Sequence, residues 1–322
     1  MNTRLTEMLG VEKPIMCGGM LWLATPELAA AISNAGGLGN ITAANYNSGE
    51  ELRIAIRKAK ELTNKPFGVN ITLLPSFRIS EKILDDFFTA CVEEKVAAIE
   101  VSGQLAAKHI GSLHESGVKV FHKVGSVRHA FKAERVGYDA VIAAGFEEGG
   151  HPLNDDVTSM ILWPLVAESI KIPVVAAGGI ADGRGLAAAL ALGAEGVMMA
   201  TRFIATRECC AHLNIKNELI KRREMDTTLI DKKFNMQGRA LKNSLVNRIL
   251  DLEESGAGFE EVFPLITGQK VKQAWIDGDI DNAAFMVGQS VGLIKNIVSC
   301  ENLLNEMILE AKSIIKKMGG LL

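Results

Sequence analysis

Pro173-Val-Val-Ala-Ala-Gly-Gly-Ile-Ala-Asp-Gly-Arg-Gly-Leu-Ala-Ala-Ala-Leu-Ala-Leu-Gly-Ala-Glu-Gly-Val-Met-Met-Ala-Thr201 reads as a buried strand, a glycine turn, a small-residue helix and a second buried strand. Pro173 introduces the apolar run Val174 to Ala177, and the Gly178-Gly179 pair after it lets backbone amides approach a ligand with no Cβ in the way. Arg184 to Leu192 is rich in alanine and leucine and stops at Gly193, as a helix with a glycine C-terminal signal does, before Val197 to Met199 opens the next strand. Two parallel strands then end side by side. In a (β/α)8 barrel the loops after the seventh and eighth strands form the usual phosphate site, here Gly178-Gly179 and Ala200-Thr201. The local pattern leaves a second reading open: a tightly packed βαβ unit whose glycines serve only turns.

The same strand-helix alternation recurs through the preceding residues. Strands are expected at 15–17, 38–41, 68–71, 98–101, 119–122, 140–143, 174–177 and 196–199, with helices at 26–35, 50–62, 81–94, 105–116 and 127–136. Gly36-Gly37, Gly117 and Gly137 stand where helix C-caps are needed. The fold class is therefore α/β, a (β/α)8 TIM barrel. Such a barrel takes roughly 250 residues, so the rest is an addition. Three parts are expected: a barrel at 1–209, a mainly helical lid over the barrel mouth at 210–282, and a helical segment at 283–322 returning to the barrel exterior. The charge-rich runs Lys221-Arg222-Arg223-Glu224 and Asp231-Lys232-Lys233 mark the middle part.

Composition narrows the function classes. With 48% hydrophobic and 23% charged residues, the chain can bury a full core. A formal charge of -3 and 5% aromatic residues supply neither a basic field nor stacking platforms, which disfavours nucleic acid as a partner. Met1 to Lys13 lacks an apolar signal core, and no later apolar run spans a membrane free of charge or glycine, so a cytoplasmic protein without membrane insertion is expected. The oligomeric state is left open between monomer and dimer. Five cysteines without C-x-x-C spacing argue against a disulfide framework or structural zinc, and no histidine-carboxylate spacing points to a metal.

Barrel enzymes gather their chemistry at the C-terminal ends of strands. Those positions carry Cys17-Gly18-Gly19-Met20, Asn70 to Pro75, His122-Lys123 and Gly145 to Pro152. Asn70 can donate and accept at a heterocycle edge, and Lys123 can stabilise negative charge on a reduced ring, a combination that suits a flavin. Taken singly, Asn70 is equally a strand-end cap and Lys123 a solvated loop lysine. His151, after Gly149-Gly150, is the candidate acid, base or polar anchor, and His122 a supporting residue behind it. Glu147 and Glu148 read as exposed loop carboxylates. No G-x-G-x-x-G is present, so a nicotinamide nucleotide would have to visit the barrel mouth.

Together these segments resemble the nitronate monooxygenase family of FMN barrels, formerly called 2-nitropropane dioxygenases, and its relative enoyl-acyl-carrier-protein reductase II. The resemblance runs in order through Cys17-Gly18-Gly19-Met20, Gly68 to Pro75, His122-Lys123, Gly149-Gly150-His151-Pro152, Gly178 to Ala189, Thr201-Arg202-Phe203 and Gly288-Gln289-Ser290. It is nearest to the subgroup of NADH:quinone reductases, through the Ile71 to Pro75 loop, Val127-Arg128-His129-Ala130 and Ala205 to Cys209.

The resemblance implies bound FMN, with NADH or NADPH as co-substrate and a quinone as acceptor, itself a small molecule. Gly18, Gly19, Met20, Asn70 and Lys123 would hold the ring, and Gly150, Gly178, Gly179, Ala200 and Thr201 the ribityl phosphate. His151 and Lys123 would be catalytic, and the loop with Thr72, Leu74, Pro75 and Ser76 would gate the nicotinamide. Alternatives are nitronate oxidation with O2, reduction of an enoyl thioester, for which Lys221-Arg222-Arg223 could meet an acidic carrier, and non-catalytic FMN binding. Two residues depart from the family pattern: Ala200 replaces a glycine before Thr201, and Glu148 replaces a small residue before the catalytic histidine.

Overall fold

The computed structural model describes residues 1–74, 79–153, 155–234 and 236–321. Eight parallel strands, β1 (Ile15–Cys17), β2 (Gly39–Thr42), β3 (Phe67–Leu73), β4 (Ala98–Gly103), β5 (Lys119–Val124), β6 (Ala140–Ala144), β7 (Val174–Ala177) and β8 (Gly196–Met199), follow one another around a single sheet. β1 pairs with β8, and a parallel bridge between Met16 and Leu38 joins it to β2, so the sheet closes into a barrel. Each strand lies where the apolar runs place it, within two residues.

Strand periodicity decides what the barrel contains. One set of alternating residues, including Met16, Ala98, Phe121, Ile142, Val175 and Met198, packs together as a narrow inner core. The other set, including Ile15, Val69, Ile99, Val120, Val141 and Val197, lies in the larger core shared with the surrounding helices. A short helix not expected from the sequence, Arg4–Leu9, puts Leu5 and Leu9 into the inner core and closes the barrel floor. An ion pair between Arg4 and Glu195 and a capping box between Thr3 and Thr6 hold it in place.

Several expectations need correction. The helix expected at 105–116 is a 3-10 turn, Ala107–His109, followed by a shorter α-helix, Ile110–Ser116. Residues 210–282, expected to be mainly helical, also carry an antiparallel hairpin, Thr227–Ile230 (β9) with Gly238–Leu241 (β10). The charges at 231–233 that suggested a helix surface belong to its connecting loop, while the β-branched run Thr227-Thr228 carries the strand signal. The helical segment expected at 283–322 becomes a helix only at Cys300. Before it the chain is irregular apart from a 3-10 turn, Gln289–Leu293, and the Cys300–Gly319 helix then packs on the barrel helices Gly183–Ala191 and Pro26–Asn34. Among the described residues no helix is long and apolar enough to cross a membrane, and no group of His, Cys, Asp or Glu could hold a metal ion.

One buried charge beside the hairpin bears on stability. Asp231 is 3% exposed, its Oδ1 has no hydrogen-bond partner, and burial first, then Glu253, pushes its carboxyl up to about 6. The folded state therefore holds this proton more tightly than the unfolded chain, and stability falls as pH rises from the ordinary carboxylate range to about 6. Asp231→Asn keeps a residue that tolerates the positive φ of 60° and removes the penalty. It should stabilise the protein by about 1–2 kcal/mol at pH 7 and by much less near pH 4, as read from denaturant midpoints at the two pH values.

Candidate active site

At the C-terminal end of the barrel lies a cavity of about 1090 Å³. That is at the upper end of the ~300–1,000 Å³ usual for small-molecule sites. Gly18, Gly19, Asn70, Thr72, Leu74, Lys123, Gly150, His151, Gly178, Gly179, Ala200 and Thr201 line it, which brings together nearly every residue singled out from the sequence. Met20 is not among the lining residues: it is buried in the outer core, with its amide on the Thr42 hydroxyl. Pro75 and Ser76, like Phe77, lie outside the described residues.

The glycines differ in why they are needed. Gly178 and Gly179 turn at φ of 93° and 72°, a region that disfavours side chains, and a Cβ on Gly178 would press on Gly145 O and Ser159 Oγ at 3.0 Å. Gly150 also has positive φ, but a Cβ there would meet nothing within 4 Å, so that side is open space. A Cβ on Gly19 would collide with the Asn70 side chain. Thr201 accepts a hydrogen bond from the Gly288 amide at 3.0 Å, which leaves its own hydroxyl proton available to the cavity.

The floor of the cavity carries charge. Asn70 and Glu100 are directly paired across β3 and β4, and Lys123 lies one strand further, two residues beyond the inward Phe121. Glu100 is 4% exposed, accepts from Gly19 N–H at 3.0 Å and from Ser102 Oγ at 3.3 Å, and is raised above the usual carboxylate range by burial. It escaped the sequence reading, although an acidic residue inside the apolar run Ala98 to Val101, on the same face as Ala98, was a visible signal. Lys123 donates to Glu148 Oε1 at 2.9 Å and to the His151 carbonyl at 3.4 Å.

The two loop carboxylates are not solvated, contrary to expectation. Glu147 accepts from Ser159 N–H at 3.1 Å and caps the Ser159–Ser169 helix. Glu148 has a side chain 11% exposed, paired with Lys123 and raised by burial. Long-range packing explains both. The returning segment lays Gly288 directly on Gly149, where a Cβ on either would strike the other's backbone, and Gln289 N–H donates to Glu147 O at 3.0 Å.

The His151 loop is held by the hairpin of β9 and β10. Gly150 and Arg239 exchange backbone hydrogen bonds of 3.2 and 2.6 Å, and Gln237 donates to the carbonyls of Pro152 and Leu153, both at 3.1 Å. Arg239 also reaches Phe146 O at 3.1 Å. These residues could not be placed from sequence because the hairpin itself was not legible. The His151 side chain opens to the cavity, but surrounding protein, and secondarily the Lys123 charge, push its imidazole down to about 4. It is neutral at pH 7 and offers one donor and one acceptor. His122 is buried beside Tyr138, with ring centroids 5.0 Å apart, and is likewise pushed down to about 4, chiefly by burial.

A closed eight-stranded barrel with glycine turns, a lysine-carboxylate floor and a histidine at its mouth has the frame of an enzyme site for a small molecule. The comparisons narrow this. The family model for nitronate monooxygenase matches residues 2–310, and the chain belongs to that family. It is 35% identical to a Rhodococcus jostii 5-hydroxy-7a-methyl-1-oxo-octahydro-1H-indene-4-carboxyl-CoA dehydrogenase, covering 100% of this chain and 99% of that protein. It is 30% identical to a probable nitronate monooxygenase of Staphylococcus saprophyticus, over 98% of this chain and 99% of the relative. Among solved structures it is similar to FabK from Thermotoga maritima, with TM-score 0.92 and 40% identity over 100% of both chains.

Proposed function

We propose that the protein binds FMN and exchanges a hydride between NAD(P)H and an unsaturated acyl thioester. The carrying observation is that one cavity holds both the glycine turns suited to a phosphate and the neutral histidine suited to a reacting carbonyl. The residues present fit the cofactor: the open side of Gly150 and the positive-φ turn at Gly178-Gly179 form a cradle that side chains would fill. Gly178, Gly179, Ala200 and Thr201 would hold the phosphate through backbone amides and the Thr201 hydroxyl, and the extra methyl of Ala200 leaves its amide free to donate. Gly18, Gly19 and Asn70 would flank the ring, and Lys123 would face it. FMN supplies two-electron hydride chemistry when bound.

His151, neutral, would donate its ring N–H to the thioester carbonyl and stabilise the charge that develops on that oxygen, while the proton the α-carbon needs would come from solvent. Thr72 and Leu74, with Pro75 and Ser76 next in the chain, are the proposed nicotinamide loop. The thioester rather than the quinone is favoured by a relative over the full chain: the Rhodococcus protein is named for a CoA thioester. The carrier need not meet the 221–223 cations, since Lys221 and Arg222 both face Glu218.

The test is steady-state turnover with FMN and NADH or NADPH, offering a short 2-enoyl-CoA, a benzoquinone, or an alkyl nitronate with O2 and no nucleotide. Saturated thioester as the main product supports the reading. Turnover only with the quinone or only with the nitronate overturns it in favour of that acceptor.

A further inference from the structure

Glu148 is the direct ion-pair partner of the lysine on the cavity floor. Lys123 Nζ lies 2.9 Å from Glu148 Oε1, with side chains only 18% and 11% exposed, so solvent screens the pair weakly. The other charges nearby do not replace Glu148. Glu100 spends its oxygens on Gly19 N–H and Ser102 Oγ. Arg239 points its guanidinium at Phe146 O and Thr227 Oγ1. Glu147 is taken by Ser159 N–H.

We propose that Glu148 sets the redox balance of the site: by holding Lys123 in an ion pair it cancels the positive charge that would otherwise favour the reduced cofactor. This rests on the FMN reading. On reduction the ring gains two electrons from the reductant and one proton from solvent, and so gains one net negative charge. An uncompensated ammonium facing the ring would stabilise that charge, and the neutral Lys123–Glu148 pair does so much less. The bound cofactor is therefore harder to reduce and, once reduced, a stronger hydride donor, which suits an enzyme that reduces its acyl substrate rather than desaturating it. Glu148 is a positioning residue, since it acts on the ring through Lys123.

The experiment is an anaerobic dithionite titration against a reference dye, following visible flavin absorbance in the FMN-loaded wild type, Glu148→Gln and Glu148→Gln/Lys123→Met. The glutamine keeps shape and a hydrogen-bond acceptor for Lys123 while removing the charge. At fixed potential its ratio of reduced to oxidised FMN should rise about tenfold, or about 30 mV for a two-electron couple. The double variant removes both charges and should return to within about twofold of wild type. An unchanged ratio in Glu148→Gln overturns the proposal, as does a shift that persists in the double variant. If the wild type itself retains no FMN, it is the cofactor reading that fails.

Discussion

Replacing His151 with asparagine should lower turnover by about 10²- to 10⁴-fold while FMN remains bound at wild-type affinity. The imidazole opens to the cavity on a loop fixed at both ends, by Gly150 on Arg239 and by Pro152 and Leu153 on Gln237. Loss of the ring therefore removes a group aimed at substrate without loosening the cradle at Gly178-Gly179. The pH profile gives an independent check. Because burial and Lys123 push the imidazole down to about 4, its charged form appears only as pH falls through that value. The wild-type kcat/KM should show no His151 titration near 6.5, its unperturbed value. An acid limb near 4 should be present in wild type and absent in His151→Asn.

Gly178→Ala should weaken FMN binding by at least about 100-fold, equivalent to losing two charge-assisted hydrogen bonds. The new Cβ meets Gly145 O and Ser159 Oγ at 3.0 Å and sits on a backbone at φ 93°. The turn must relax toward negative φ, which swings its amides away from the cradle. Backbone strain alone can be separated from this by a matched control. Gly256 has φ 91° with nothing within 4 Å of a Cβ, and lies far along the chain, outside the residues that line the cavity. Gly256→Ala should cost about 1 kcal/mol of stability and leave FMN affinity unchanged. Equilibrium dialysis with FMN and thermal melts of both variants decide the matter. Equal FMN affinity in the two would remove the glycine turn from the cofactor site.

The barrel was legible because its signals are local. Apolar runs such as Val174 to Ala177, ended by glycine, announce buried parallel strands, and Gly137 after Val136 closes a helix. Strand ends then located most of the cavity wall. What stayed hidden depends on contacts between distant segments. Glu148 looks like a loop carboxylate until Gly288 is laid on Gly149 and Lys123 is brought to 2.9 Å. Glu100 needs the pairing of β4 with β3 to appear beside Asn70. The hairpin of β9 and β10, four residues a side, is too short to compete with the charged residues of its loop in a sequence reading. Met20 shows the converse: it belongs to the quoted Cys17-to-Met20 segment, yet the chain turns it into the outer core while Gly18 and Gly19 remain at the wall.

The most direct test of hydride exchange through FMN to an acyl thioester is a double-mixing experiment without oxygen on the FMN-loaded protein. NADH or NADPH is added first and a 2-enoyl-CoA second, with visible flavin absorbance followed throughout. The account predicts bleaching by one of the nucleotides and full return of colour on adding the thioester, with one saturated thioester formed per flavin. A flavin that neither nucleotide bleaches, or that bleaches and is restored by a quinone but not by the thioester, would contradict it.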